Sequence, residues 1–189
     1  MPTLPEAEAP PIPRADAERN RRRLLDVALA ELTATEGAAA LETIARKAGV
    51  GIGTLYRHFP SREALVEAVY RSELERLCQE GVALLAELPP DAALRAWMGR
   101  YADFVATKRG MAEALRAVVA AGAVTSSQTR EQLGAAAGAM LAAGVDAGLL
   151  RADVRAEDVV ASLAGILLAA TSREQADRML DLLAAGLRA

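Results

Sequence analysis

The chain has 189 residues, 52% of them hydrophobic, and a formal net charge of -3. This length suits one all-helical unit, or a small domain joined to a larger one, with enough apolar side chains for a buried core. The slightly negative charge excludes a protein coated with basic residues for nonspecific nucleic-acid binding. Any DNA-binding surface therefore has to be local.

A single cysteine, Cys78, and a single histidine, His58, restrict the chemistry further. One cysteine excludes an internal disulfide framework, and one histidine excludes the HExxH, paired-histidine and Cys/His metal patterns. The chain also lacks a glycine-rich phosphate loop and a catalytic triad, so we expect no enzyme, no metal and no cofactor. No uncharged run reaches the ~18 residues of a membrane span and no signal-peptide pattern opens the chain, which indicates a cytoplasmic protein.

Residues 1–13 contain five of the eight prolines and no helical periodicity, so we expect a disordered arm there. Apolar residues then recur at helical spacing between Leu24 and Leu32, which predicts a first helix ending near Gly37. Several arginines precede this series. Positive charge at the start of a helix opposes the helix dipole, which favours contact with DNA phosphates over a merely solvated helix start.

The stretch from Leu41 to Leu65, LETIARKAGVGIGTLYRHFPSREAL, has the pattern of a helix-turn-helix. Its first apolar residues fall at helical spacing, with Arg46 and Lys47 on the opposite side. Gly49 can adopt the left-handed conformation that ends this helix and turns the chain. A second short helix is expected over Ile52 to Phe59.

A third helix should follow directly. Pro60 cannot continue the second helix, and Ser61 can cap the start of the next one at Arg62. We expect this helix to run to about Leu88, where two prolines close it. Such a helix spans about 38 Å and connects the motif to the rest of the chain.

The second short helix carries side chains that suit DNA contact. Gly53 lets the backbone approach a groove closely, and its neighbours supply donors for phosphate oxygens: Thr54, Tyr56, Arg57 and His58. Spacing alone leaves an ordinary helical hairpin as the alternative.

The run GVGIGTLYRHFPSREAL resembles, almost residue for residue, the recognition segment of the TetR (tetracycline-repressor) family of bacterial transcriptional regulators. The resemblance implies base contacts from Ile52, Gly53 and Tyr56. It implies contacts to the phosphate backbone from Thr54, Arg57, His58 and Arg62. Together with Arg46 and Lys47, these residues form the predicted DNA-binding set. The family often has Thr or Ser where Ala39 and Ala40 stand, and usually Lys where Arg62 stands.

No proline occurs between Asp91 and Ala189, which fits a bundle of helices. Caps and glycines divide this region into five predicted helices, over residues 91–108, 110–121, 125–147, 156–170 and from 172 onwards. Asp91 is expected to cap the first of them. Two pairs have capping-box spacing: Thr125 with Gln128, and Ser172 with Gln175.

No β-strand pattern occurs, so the predicted fold is all-α with about nine helices. A three-helix helix-turn-helix domain would cover residues 14–71, and a helical ligand-binding and dimerisation domain would cover residues 72–189. The C-terminal half resembles SbtR-like regulators in its KRG, ADV and EQADR patterns.

Three aromatic residues, Trp97, Tyr101 and Phe104, share one face of a predicted helix. Core packing and a ligand pocket draw on the same residue types, so the spacing leaves both open. The resemblance favours a pocket for a small-molecule effector. The predicted ligand-binding set is Trp97, Met98, Tyr101, Phe104, Met111 and Met140, since methionines adapt to ligand shape.

The last two predicted helices are rich in small and apolar residues. Ala161, Gly165 and Ala169 recur every four residues, which gives a smooth stripe that another helix can approach. Packing within the same subunit is one interpretation. The resemblance implies instead a four-helix interface with a second copy, and the predicted interface set is Ala161, Gly165, Ile166, Ala169, Leu180 and Leu183.

The sequence therefore predicts a homodimeric regulator that binds a palindromic double-stranded DNA operator, acts as a repressor, and is released by a small-molecule effector. One alternative is a transcriptional activator of the same fold. Another is a helical oligomer that binds small molecules without DNA, although this leaves the GTLYRHF surface unexplained.

Overall fold

The structure, a computed structural model, describes residues 14–189, which form nine α-helices. In chain order they are α1 (Arg14–Ala34), α2 (Leu41–Lys47), α3 (Ile52–His58), α4 (Arg62–Glu87), α5 (Pro90–Gly110), α6 (Ala112–Ala120), α7 (Ser126–Asp146), α8 (Ala156–Ala169) and α9 (Arg173–Gly186). Within this range no β-strand occurs, and the all-α prediction is confirmed. The predicted arm of residues 1–13 lies outside the described residues.

None of the helices in residues 14–189 combines the length and the apolarity that crossing a membrane requires.

The first three helices and the start of α4 form a small headpiece around a shared apolar core. Leu24, Ile44, Leu55 and Leu65 are completely buried there, one from each helix. Gly49 has a φ of +69°, as the predicted turn between α2 and α3 requires.

The Ser61 side chain caps α4 by accepting a hydrogen bond from the Ala64 N–H at 3.1 Å, which confirms the predicted start of this helix.

The 26-residue helix α4 joins the headpiece to the C-terminal bundle without a break. It packs against α1 at one end and against α5, α6 and α7 further along. In the bundle, the Trp97 Nε1–H donates to the Leu77 carbonyl oxygen at 2.9 Å. Gly81 lets Met140 and Trp97 pack close to the backbone of α4. A Cβ at this position would lie 3.4 Å from Met140 Cε and 3.5 Å from Trp97 Cδ1. The predicted boundary at residue 71 therefore falls inside a continuous helix.

Two of the three caps predicted for the C-terminal helices are confirmed. Thr125 Oγ1 accepts from the Gln128 N–H, and Ser172 Oγ accepts from the Gln175 N–H. The prediction for Asp91 is wrong, since α5 begins one residue earlier, at Pro90. Proline suits the first helical turn because its missing N–H would be unpaired there, and the Asp91 carboxylate in the same turn is favoured by the helix dipole.

A tight packing point closes the end of α7. The Leu149 and Leu150 N–H groups both donate to the Gly144 carbonyl oxygen, at 2.9 and 3.0 Å, and Gly148 turns the chain with a φ of +67°. This turn folds the Leu150 side chain back over Gly144. A Cβ at Gly144 would lie 3.0 Å from the Leu150 Cβ.

We expect Gly144→Ala to destabilise the fold, because the added methyl overlaps Leu150. Overpacking by one methyl commonly costs about 1 to 3 kcal/mol, against a gain of up to about 1 kcal/mol from helix propensity. Gly134→Ala in the same helix is the matched control, since nothing lies within 4 Å of a Cβ there. Chemical denaturation should show a lower free energy of unfolding for the first variant and a raised one for the second. Equal effects at both sites would contradict the packing described here.

Candidate nucleic-acid interface

The exposed side of α3 presents two large side chains on either side of bare backbone. Ile52 is 37% exposed and Tyr56 is 45% exposed. Gly53 lies between them, and no atom comes within 4 Å of the position that a Cβ would take there. Leu55 and Phe59 are buried on the opposite side and fix the orientation of the helix. This geometry leaves Ile52, Gly53 and Tyr56 accessible to a groove, as base contact requires.

Thr54 and Arg57 form a hydrogen-bonded pair beside this exposed side. The Arg57 Nη2 donates to Thr54 Oγ1 at 3.1 Å, and its Nε donates to the Gly53 carbonyl oxygen at 3.3 Å. A guanidinium that is already held in place loses less side-chain freedom when it binds a phosphate. His58 is half-buried next to Phe59, with their ring centroids 6.1 Å apart.

Arg46 and Lys47 are both exposed at the end of α2. Lys47 Nζ lies 2.5 Å from Glu31 Oε1 on α1, whereas Arg46 forms no ion pair with any residue in 14–189. The start of α2 lacks a side-chain cap, because Ala40 occupies the capping position.

Arg62 is engaged inside the headpiece. Its guanidinium is half-buried and donates to the carbonyl oxygens of Gly37 and, at 2.5 Å, of Ala39. These bonds tie the start of α4 to the loop that precedes α2. The structure therefore assigns Arg62 a positioning role in the headpiece, which differs from the phosphate contact expected from the sequence.

Two arginines of α1 also contact the helix-turn-helix. The Arg23 Nη1 donates to the Ala48 carbonyl oxygen at 3.5 Å, and the Arg21 guanidinium lies 5.3 Å from the centroid of the Phe59 ring. Both residues hold α1 against the motif and add positive charge beside it.

The headpiece contacts the C-terminal bundle at the junction of α5 and α6. Gly37, with a φ of +92°, sits so close to α6 that a Cβ there would lie 2.8 Å from the Ala114 backbone nitrogen. One turn away, a Cβ at Gly110 would lie 2.9 Å from the Thr33 Cγ2 of α1. Together with α4, this contact connects the headpiece to the bundle at two places.

The six residues predicted to bind a ligand form a packed cluster in the bundle, and all of them are buried. Trp97 and Tyr101 have ring centroids 6.1 Å apart, and Tyr101 and Phe104 have centroids 6.4 Å apart. Tyr101 is the one member of the set that borders either of the two large cavities described next. The ligand-binding role of the set stays a prediction.

One large cavity, of about 910 Å³, lies between α4 and α7 and is bordered by Tyr70, Arg71, Cys78 and Thr129 among others. Two of its polar groups are engaged: Tyr70 Oη lies 2.8 Å from Thr129 Oγ1, and the Arg71 Nη2 donates to the Ala123 carbonyl oxygen at 2.8 Å. Burial raises the pKa of the Cys78 thiol, which therefore keeps its proton at neutral pH.

A second cavity, of about 830 Å³, lies between α5, α6 and α8. We call it the α5–α6–α8 cavity. Its lining is mainly apolar and comprises Tyr101, Val105, Lys108, Arg109, Ala112, Leu115, Arg116, Val119, Ala120, Ala164, Leu167 and Leu168. Sequence reasoning missed all of these except Tyr101. The available signal was the spacing of Tyr101, Val105 and Lys108, which continue one stripe along α5.

The residues predicted to form a dimer interface divide between the surface and the core. Ala161, Gly165 and Ala169 lie on the exposed side of α8. Leu168 is 82% exposed and Leu182 of α9 is 74% exposed. We call these five residues the α8–α9 face. Exposed apolar side chains that group on one surface are a feature of sites that another protein covers.

Three other residues of that predicted set point inward. Leu180 is fully buried inside its own subunit, in α9, which packs against α5 and α8, and this burial corrects its assignment to the interface. Ile166 and Leu183 are half-buried and pack against the core.

No group of three or more potential metal ligands occurs in the described range, residues 14–189.

Comparisons with known proteins match both halves of the chain. Residues 24–69 match the family model for bacterial regulatory proteins of the tetR family, and residues 89–189 match the model for the C-terminal domain of SbtR-like transcriptional regulators. Among solved structures, TetR transcriptional regulator SCO0520 from Streptomyces coelicolor is 49% identical, with a TM-score of 0.79, over 89% of this chain and 98% of that chain. A TetR regulator from Mycobacterium vanbaalenii is 32% identical, with a TM-score of 0.75, over 93% of this chain and 99% of that chain.

A curated relative matches over a shorter stretch. The HTH-type transcriptional repressor KstR of Mycolicibacterium smegmatis is 40% identical over 67 residues, which is 33% of this chain and 32% of that protein. The chain thus spans about a third of that relative. The family models and the two solved structures cover far more, and on their strength the chain belongs to the TetR family of bacterial transcriptional regulators, with an SbtR-like C-terminal domain.

Proposed function

We propose that the protein acts as a homodimeric repressor that binds a palindromic DNA operator through α3 and is released when a small molecule binds its C-terminal domain. The observation that carries this proposal is the accessible side of α3, where Ile52 and Tyr56 flank the open backbone at Gly53. In this proposal residues 14–71 bind DNA, and residues 72–189 bind the effector and the second subunit. Because the proposed partner is a DNA operator, we propose that the protein acts in the cytoplasm.

The dimensions of α3 suit a major groove. An α-helix with its side chains is about 10 to 12 Å across, which matches the width of the groove, about 12 Å, and the seven residues of α3 are enough to enter it. An apolar side chain such as Ile52 suits the methyl group of thymine, and Tyr56 can both stack and donate a hydrogen bond. Arg57, Arg46 and Lys47 surround these residues with positive charge for the phosphates.

The α8–α9 face supplies the surface for dimerisation. A twofold reader needs two copies of α3, with half-site centres about 34 to 36 Å apart. The small residues at positions 161, 165 and 169 let a second helix approach closely, and Leu168 and Leu182 supply apolar area to bury.

Helix α6 borders the α5–α6–α8 cavity and also contacts the headpiece, so we propose this cavity as the effector site. Leu115 and Val119 of α6 line the cavity, while Ala114 of the same helix touches Gly37 of the headpiece. A ligand that displaces α6 changes that contact. Release from DNA requires the ligand to bind this displaced conformation more tightly than the DNA-bound one.

We expect Tyr56→Ala to weaken specific DNA binding, and Arg57→Ala to weaken specific and nonspecific binding alike. Loss of one phosphate contact should also lower the slope of log K against log salt by about one. Binding to an operator selected from random DNA, measured as a function of salt, gives both quantities. Tyr56→Phe separates the ring from the hydroxyl, and Arg130→Ala on the exposed side of α7 controls for loss of charge. A wild-type chain with no sequence preference at moderate salt would refute the DNA-binding proposal.

Arg62→Met should affect stability and salt dependence differently from Arg57→Ala, because Arg62 binds carbonyl oxygens in the headpiece. Leaving two carbonyl groups without this donor should lower stability by about 1 to 3 kcal/mol and reduce operator affinity. The salt slope should stay unchanged, since no phosphate contact is lost. A slope lowered by about one unit, with unchanged thermal stability, would instead show that Arg62 contacts phosphate.

Gly165→Leu should promote dissociation of the dimer without disturbing the subunit. Nothing within the described chain lies within 4 Å of a Cβ at Gly165, so any clash comes from the second copy. Overpacking there costs about 1 to 3 kcal/mol at each of two equivalent positions. Sedimentation at several concentrations measures the shift, and Gly134→Leu, at an equally open glycine of α7, is the control. An undisturbed Gly165→Leu dimer would place the interface elsewhere.

A further inference from the structure

We propose that the α5–α6–α8 cavity binds an amphipathic carboxylate, with Lys108 at the exposed rim pairing with the carboxyl group and the Tyr101 hydroxyl at the buried end donating to an oxygen at the far end of the ligand. This inference rests on the proposed function, because the cavity is the proposed effector site. The ligand's body would be a linear apolar chain.

The size and lining of the cavity fit such a body. A volume of about 830 Å³ lies within the range of small-molecule sites, which is about 300 to 1,000 Å³. Between the two polar ends the walls are aliphatic and come from all three helices: Val105 from α5, Leu115 and Val119 from α6, and Leu167 from α8. An apolar chain gains most from being buried against such walls.

Lys108 is the cation of the cavity that remains available for an anion. Of the three cations in the lining, Arg109 donates to the Leu167 carbonyl oxygen at 2.6 Å, and Arg116 pairs with Glu113. Lys108 forms no ion pair and no hydrogen bond with residues 14–189, and its ammonium lies 5.7 Å from the centroid of the Tyr70 ring. A ring face satisfies none of the three ammonium donors in the way that a carboxylate does.

Tyr101 offers a neutral donor at the buried end. Its side chain is 7% exposed, and its hydroxyl makes no hydrogen bond with the described residues, although the equivalent group of Tyr70 is bonded to Thr129. Within the described range, every fully buried polar side-chain atom has a hydrogen bond. The Tyr101 hydroxyl has none, so it is not fully buried and borders open space. Burial raises the pKa of Tyr101, so the group keeps its proton at neutral pH and acts as a donor.

The spacing of these two residues along the backbone of α5 guides the choice of probe. Tyr101, Val105 and Lys108 follow one stripe of α5, and the first and last are seven residues apart, or about 10 Å along the axis. A fully extended acid of about ten carbons, with an oxygen at its far end, spans a similar distance. Leu168 and Val119 are exposed at the edge of the cavity, so a second subunit could fill the cavity instead of a ligand. The experiment below distinguishes these two occupants.

The test is calorimetric titration of the full chain with three probes: decanoic acid, decanamide and ω-hydroxydecanoic acid. We expect decanoate to bind about tenfold more tightly than decanamide, since the amide lacks the charge that pairs with Lys108. We expect Lys108→Met, and independently Lys108→Gln, to abolish this preference. Tyr101→Phe should remove the advantage of the ω-hydroxy acid over decanoate and retain the preference for carboxylate over amide. Arg130→Met removes a positive charge outside the cavity and should change neither.

Three results would overturn this inference. These are equal affinity for decanoate and decanamide, binding of none of the three probes, and a preference for carboxylate that survives in both Lys108 variants. Absence of binding is also the result expected if the second subunit fills the cavity. Operator binding measured on the same preparations without ligand keeps the two proposals apart. If operator binding persists while the preference for carboxylate is absent, the ligand inference fails and the DNA-binding proposal stands. Thermal melts of each variant confirm that the fold is retained.

Discussion

The continuity of α4 constrains how the headpiece and the bundle can move. Its 26 residues carry core side chains for both parts, including Leu65 in the headpiece and Leu77 in the bundle. An unbroken helix transmits a tilt along its whole length and does not act as a hinge. The contact between Gly37 and Ala114 adds a second attachment beside it. In the proposed mechanism, a shift of α6 relative to α4 therefore changes the angle of the headpiece.

Local chemistry explains why most of the fold could be predicted from the sequence. Ser61, Thr125 and Ser172 cap their helices through bonds to residues three positions away, so the signal lies within a few residues. Gly49 and Gly148 end helices for equally local reasons. The start of α5 was misplaced by one residue, because proline and aspartate both suit a first helical turn.

The site could be predicted only where neighbours along the chain determine it. The exposed side of α3 follows from its own periodicity, whereas the role of Arg62 depends on a loop more than 20 residues away. Leu180 looked like an interface residue because periodicity identifies an apolar side but not what covers it. The position of the α5–α6–α8 cavity beside the aromatic cluster could not be predicted either, because it depends on how α6 and α8 pack against α5.

The single tryptophan of the chain lies at the contact between α4 and α5, beside the proposed effector cavity. Trp97 is fully buried on α5, its indole N–H is bonded to a carbonyl oxygen of α4, and its ring stacks at an angle on Tyr101 at the buried end of the cavity. The emission of a buried indole depends on its hydrogen bond and on the polarity around it. The protein thus contains one intrinsic optical probe that responds both to the α4–α5 contact and to Tyr101, so changes at this junction can be followed in time without attaching a label.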